Sequence, residues 1–140
     1  MSSRMTIAEL HEFILVQFPQ VAGDFKIEGL GDGYARVRML IGERNLRPGG
    51  TVSGPAMFSL ADVSVYVCIL SMIGPKALAV TTSCSMDFMR KPAARDLLAE
   101  TRMLKLGKRL AVGDVLIHSE GQPKPVARAT MTYSIPVASG

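Results

Sequence analysis

Between Arg47 and Gly74 the chain reads RPGGTVSGPAMFSLADVSVYVCILSMIG. Residues 55–73 form an apolar run long enough for about five helical turns, with glycine and proline crowded in front of it and one acid, Asp62, inside it. A helix that is apolar nearly all round must be buried on every side, so either the rest of the chain wraps it or it enters a membrane. An acid near the middle of a lone span costs roughly 2.5–3.5 kcal/mol on insertion, which favours a soluble wrapper and argues against a membrane partner. Asp62 raises a functional question as well. An unpaired buried carboxylate is costly, so this one needs partners or a task.

The remaining residues supply the wrapper. Thr6-Ile7-Ala8-Glu9 fits a capping box, and Ile7, Leu10, Phe13, Ile14 and Phe18 follow helical spacing, which predicts an amphipathic helix over 6–18 ended by Pro19. Strand patterns follow. Ala35, Val37, Met39 and Ile41 alternate with polar neighbours behind the turn Gly31-Asp32-Gly33, a hairpin signal. After the apolar helix, Val80, Thr82, Cys84, Met86 and Phe88 alternate with Thr81, Ser83, Ser85, Asp87 and Met89. Strands are also expected over 97–106 and 110–119, joined by Gly107-Lys108, and a closing strand runs from Ala127 to Ile135. Short turns imply antiparallel pairing, and such a sheet is the one body in the chain large enough to bury the central helix. The expected class is α+β.

At 140 residues with 48% hydrophobic content, the chain suits a single globular domain over 1–140. Its net charge of +4 comes from scattered basic residues with little aromatic interleaving, a poor match to a nucleic-acid partner. Cys68 and Cys84 both lie among apolar neighbours; they read as buried thiols of a reducing compartment and lack the partners of a zinc site. Glu9, His11 and Glu12 interrupt the N-terminal segment where a secretory signal needs an apolar core, so a cytoplasmic location is expected. His11 and His118 stand in no motif.

The stretch RPGGTVSGPAMFSLADVSVYV, followed by AVTTSCSMDFMRKP, resembles the phenylacetate-type (PaaI-like) acyl-CoA thioesterases. That resemblance implies the hotdog fold, an antiparallel sheet wrapped around a long central helix, and hydrolysis of an acyl-CoA without metal or other cofactor. In the family the helix begins with a His-Gly-Gly signature and carries an acid eight residues after the first glycine, a spacing that Gly54 and Asp62 reproduce. Ser53 stands in place of the signature His, Pro55 replaces the second glycine, and Arg47 takes the place of an upstream asparagine. The resemblance implies that Gly54 and Asp62 are the core of the site and that the Ser53 and Arg47 positions tune it. Thr81 falls near the place where the family puts a water-holding hydroxyl, and Ser83 is expected on the same strand face.

The chemistry of the two core residues can be built from first principles. A residue before proline is kept out of the helical region, so Gly54 is expected to be extended at the helix start with its N–H free. Backed by the helix dipole, that N–H can polarise a thioester carbonyl, and the missing side chain allows close approach. Asp62 can act as a general base toward water or as a nucleophile. The plainer alternatives are that Ser53-Gly54-Pro55 is only a helix start and Asp62 a structural acid. Arg90-Lys91, where a strand leaves the sheet, and Lys108-Arg109, in a hairpin, are candidates for coenzyme A phosphates, although surface charge also explains them. Met57, Phe58, Tyr66, Met86 and Met89 are candidates to line a pocket for an aromatic or medium-chain acyl group, or simply core.

Gly54 and Asp62 are separated by about 12 Å along one helix, too far to serve one thioester together. Two antiparallel central helices in a homodimer would bring Gly54 of one chain opposite Asp62 of the other, and a dimer of dimers is expected above that. Two other classes deserve comparison. A hotdog hydratase normally uses a His near the helix motif, which this sequence lacks there; a non-catalytic acyl-CoA sensor predicts binding without turnover.

Overall fold

The computed structural model describes residues 5–19, 23–75 and 79–136, and its elements follow the expected order. Helix α1 spans Ile7–Gln17, and its capping box is made: the Glu9 N–H donates to the Thr6 hydroxyl at 3.1 Å and the Thr6 N–H donates to Glu9 Oε1 at 2.9 Å. Strands β1 (Phe25–Gly31) and β2 (Tyr34–Met39) form the first hairpin. The central helix α2 spans Gly54–Ile73, and β3 (Val80–Phe88), β4 (Leu97–Leu106), β5 (Leu110–Ser119) and β6 (Ala127–Ser134) complete the chain. All pairings are antiparallel, in the order β1-β2-β4-β5-β6-β3.

The register explains how the sheet receives the helix. Directly opposed residues share a face, so the pairings lay inward-facing rows across the strands. One row runs Val37, Ala99, Ile117, Ala127, Phe88, and the next Ala35, Thr101, Val115, Ala129, Met86. A third holds Gly113, Met131 and Cys84, and a fourth Ala111, Tyr133 and Thr81. Small residues recur in every row, which lets the sheet curve close around α2. At Gly113 the approach is tightest: a Cβ there would stand 3.3 Å from both Val65 methyls. A buried hydroxyl pair, Ser64 and Thr101 at 2.6 Å, fixes the helix against β4.

The glycine-rich entry to α2 is a turn in which Gly49 and Gly50 take φ of 102° and 79°, left-handed values that favour glycine. The Arg47 N–H donates back across this turn to the Thr51 carbonyl at 2.8 Å. The helix begins differently from expectation. Ser53 is the extended cap, with φ −74° and ψ 156°, and Gly54 is already the first helical residue. Without a Cβ, Gly54 avoids part of the clash that keeps other residues before proline out of the helix.

Helix α2 is long and apolar enough to cross a membrane, with a mean hydropathy of 1.9, but 72% of that window is buried inside the fold. Its least covered side runs along Pro55 and Phe58, which are exposed, and Gly54, Ser59, Asp62 and Val63, which are half-buried, neighbours at helical spacing.

Strand β3 departs from simple alternation. A β-bulge between Thr81 and Ser83 leaves Thr82 as the extra residue. Thr81 therefore pairs with Tyr133 on the helix side, and Ser83 pairs with Thr132 on the opposite side. The shared face expected for Thr81 and Ser83 is corrected by this bulge. β3 is also a sheet edge and is largely exposed on both faces, with Val80 and Phe88 each 55% accessible. Cys84 is consequently exposed rather than buried, whereas Cys68 is enclosed as expected.

Candidate active site

The fourth inward row carries the chemistry. Thr81 and Tyr133 are cross-strand neighbours, and both hydroxyls reach Asp62 on α2. The Thr81 hydroxyl donates to Asp62 Oδ1. The Tyr133 hydroxyl lies 2.6 Å from the same oxygen and 2.9 Å from the Asp62 main-chain carbonyl, so its single proton can serve either acceptor. Asp62 Oδ2 has no hydrogen-bond partner among the described residues. One oxygen is thus held by the fold and the other is available for a water or a carbonyl carbon.

Asp62 borders a cavity of about 290 Å³ whose other walls include Ile14 of α1, Phe18 just past its end, Val63 and Tyr66 of α2, and Val80 of β3. Burial pushes the Tyr133 phenol above its ordinary value of 10.0, and neighbouring Asp62 adds to the effect. Burial alone pushes Tyr66 up to about 12. Both phenols therefore stay protonated at neutral pH, and Tyr133 remains a donor to the carboxylate. Phe18 meets Tyr66 edge-on at 5.5 Å, and Tyr66 stacks on Tyr133 at 6.3 Å. This aromatic row stiffens the wall behind the acid.

Gly54 belongs to a different cavity, of about 400 Å³, lined by Arg47, Met57, Phe88, Met89, Arg90 and Lys91 among others. Its N–H has no acceptor among the described residues, as expected for the first turn of a helix. A Cβ on Gly54 would meet only the Phe88 ring, at 3.6 Å, an ordinary contact. Packing within the chain therefore does not demand glycine here. Ser53 has a structural duty, since its Oγ accepts from the Ala56 N–H at 3.3 Å and caps the helix. Arg90 is anchored by a bond from its guanidinium to the Pro125 carbonyl at 2.8 Å, which fixes it beside the cavity.

The expected residues thus divide into two groups. Asp62, Thr81 and Tyr66 come together at one cavity. Gly54, Arg47, Arg90 and Lys91 come together at the other, with Met57 and Met89. Ser53 adjoins the second as its cap. Ser83, Phe58, Met86, Lys108 and Arg109 line neither, and the bulge is what removes Ser83. Tyr133 was not singled out by sequence, where it reads as part of the inward apolar face Ala127, Ala129, Met131, Tyr133. Its signal was available: it is the one member of that face with a polar tip, which needs a partner when buried. Among the described residues no group of three or more His, Cys, Asp or Glu side chains gathers as a metal site would.

With this geometry in place, comparison with known proteins is informative. Residues 49–126, which hold Gly54, Asp62 and Thr81, match the family model of the thioesterase superfamily. The acyl-coenzyme A thioesterase PaaI of Escherichia coli is 32% identical over 103 residues, covering 72% of this chain and 70% of that protein. A candidate thioesterase from Silicibacter sp. TM1040 shares 55% identity and a TM-score of 0.90, covering 97% of this chain and 95% of its own. A mutant form of the phenylacetic acid degradation protein PaaI from Thermus thermophilus shares 30% identity and a TM-score of 0.72, covering 84% of this chain and 99% of its own. A sheet wrapped around one long helix, an acid eight residues into that helix, and these likenesses agree: the chain belongs to the thioesterase superfamily and is a PaaI-like thioester hydrolase of the hotdog fold.

Proposed function

We propose that the protein hydrolyses an aromatic or medium-chain acyl-CoA to the free acid and CoA, in the cytoplasm, at sites shared between two copies of the chain. The observation that carries this is the separation of the two groups. Asp62 borders an apolar cavity, while the unpartnered Gly54 N–H lies in a second cavity beside Arg47, Arg90 and Lys91. Neither holds a complete site. The least covered side of α2 contains Asp62, and the neighbouring edge strand β3 exposes Val80 and Phe88. A sheet edge with apolar side chains is a surface that pairs, and a twofold pairing there would set the two α2 helices antiparallel. Pairs of dimers are the proposed next level of assembly.

In such a dimer the thioester carbonyl oxygen accepts from the Gly54 N–H of one copy, whose helix dipole stabilises the charge that develops on it. Asp62 of the other copy, steadied by Thr81 and Tyr133, either takes a proton from the attacking water or itself attacks the carbonyl carbon. In the first route the oxygen of the attacking water stays on the acyl carbon as the C–S bond breaks; in the second the C–S bond breaks as an acyl–Asp62 anhydride forms, and water then hydrolyses that anhydride to free the acid and regenerate Asp62. In both, CoA leaves as a thiolate that is protonated. Arg90 and Lys91 face the CoA phosphates, and the acyl group enters the Asp62 cavity. An apolar cavity of roughly 150 Å³ holds one benzene molecule. The cavity of about 290 Å³ therefore has room for a phenylacyl group or a medium-length chain.

The test is release of free thiol from a panel of acyl-CoAs. Turnover of phenylacetyl or medium-chain thioesters above that of acetyl-CoA is expected. Tight binding of the same compounds with no thiol released would assign the protein as a sensor instead.

A further inference from the structure

We propose that Ile14 and Val63 form a partition that sets the longest acyl chain the protein accepts; this rests on the thioesterase reading above. Directly behind the Asp62 cavity lies a second one, of about 210 Å³, whose walls include Phe25, Ile27, Val37 and Val67. The two cavities have two lining residues in common, Ile14 from α1 and Val63 from α2. These side chains stand between the volumes from opposite sides. Val63 lines the same cavity as Asp62, so a chain whose carbonyl lies at the acid can meet it within that cavity.

The far volume is walled by fixed structure on its α1 and β1 sides and opens outward at Leu15, which is 59% exposed. His11 of α1 accepts a bond from the Ile27 N–H at 3.1 Å through Nε2, tying the helix to β1 beside the bulge between Ile27 and Gly29. Leu10 and Ile14 hold the same helix to the core. α1 is therefore a seated wall, and Ile14 and Val63 are the side chains that both volumes share, between the far groove and Asp62. An apolar groove beside the proposed catalytic carboxylate offers a longer acyl chain a surface to lie along once the partition is thinned.

The experiment compares kcat/KM for phenylacetyl-CoA with that for straight-chain acyl-CoAs of roughly four to sixteen carbons, in the wild type, Val63→Ala and Ile14→Ala. In the wild type, kcat/KM falls sharply beyond medium length. In either variant, the ratio of long-chain to phenylacetyl kcat/KM rises at least about tenfold, since each buried methylene discriminates by that order. A third protein, Val63→Ala with Val67→Phe, refills the far cavity and returns the ratio toward wild type. General loosening of the fold would not produce that reversal. Circular dichroism and melting temperature confirm that each variant is folded; if Val63→Ala does not fold, Ile14→Ala carries the comparison. An unchanged chain-length profile in folded variants overturns the partition while leaving hydrolysis intact. Failure of the wild type to hydrolyse any member overturns the thioesterase reading instead.

Discussion

The neighbourhoods of Gly54 and Asp62 are built from different materials. At Gly54 the candidate group is a backbone N–H, and its cavity sets the cations Arg47, Arg90 and Lys91 among apolar neighbours such as Met57, Phe88 and Met89. At Asp62 the candidate group is a side chain held by two hydroxyls beside an apolar cavity backed by stacked rings. The first suits the polar, phosphate-bearing half of an acyl-CoA and the second its acyl half. Since one helix carries both at opposite polarity, a twofold axis can complete two sites at once, and the difference between the neighbourhoods predicts which kinetic constant each will control.

The largest effects should come from removing either reactive group. Asp62→Ala is expected to lower kcat by about a hundredfold or more, with the fold retained because the Tyr133 hydroxyl keeps the Asp62 main-chain carbonyl as its acceptor. Gly54→Val should do the same by blocking approach to the N–H. Mixed under conditions that allow subunit exchange, the two inactive proteins should recover up to about a quarter of wild-type activity, since half the dimers are mixed and each has one intact site. No recovery despite demonstrated exchange would place the whole site within one chain and end the comparison.

Tyr133→Phe should have an intermediate effect. Loss of one hydrogen bond to a charged group corresponds to about a ten- to hundredfold fall in kcat, with KM little changed. Because the phenol is raised above 10.0, it does not itself titrate at lower pH, so no limb of the pH–rate profile below about 10 should vanish in the variant. A limb that disappears with Tyr133 would mean that the phenol itself exchanges protons during turnover.

The smallest effect belongs to the cationic neighbourhood. Replacing Arg90 and Lys91 together should raise KM by severalfold and flatten its dependence on salt, leaving kcat near wild type, because exposed charges contribute modestly and are screened. An unchanged KM at low ionic strength would remove both residues from the CoA site.

Much of this was legible from sequence, for definite reasons. Strands over 97–106 and 110–119 are found with those same limits, because the first half of β4 alternates on one buried face and the turn at Gly107-Lys108 fixes where one strand ends and the next begins. The acid inside α2 stood out because an apolar helix has no packing reason to contain one. What escaped depends on how separate elements align. Tyr133 meets Asp62 only through the packing of α2 against β6, and no local pattern encodes that contact. The exposure of Cys84 depends on whether another body covers the sheet edge, which apolar neighbours in sequence cannot reveal. Gly54 entered the helix because the general restriction before proline is weaker for a residue without a Cβ.

The bulge in β3 divides the labour of two adjacent threonines. Thr81 stands opposite Tyr133 because Thr82 is looped out, its hydroxyl donating to the Thr132 carbonyl at 3.3 Å. Without the extra residue the pairing at that end would shift by one position and Thr82 would stand opposite Tyr133. One looped-out residue thus decides which hydroxyl serves the carboxylate and which serves the strand's own backbone.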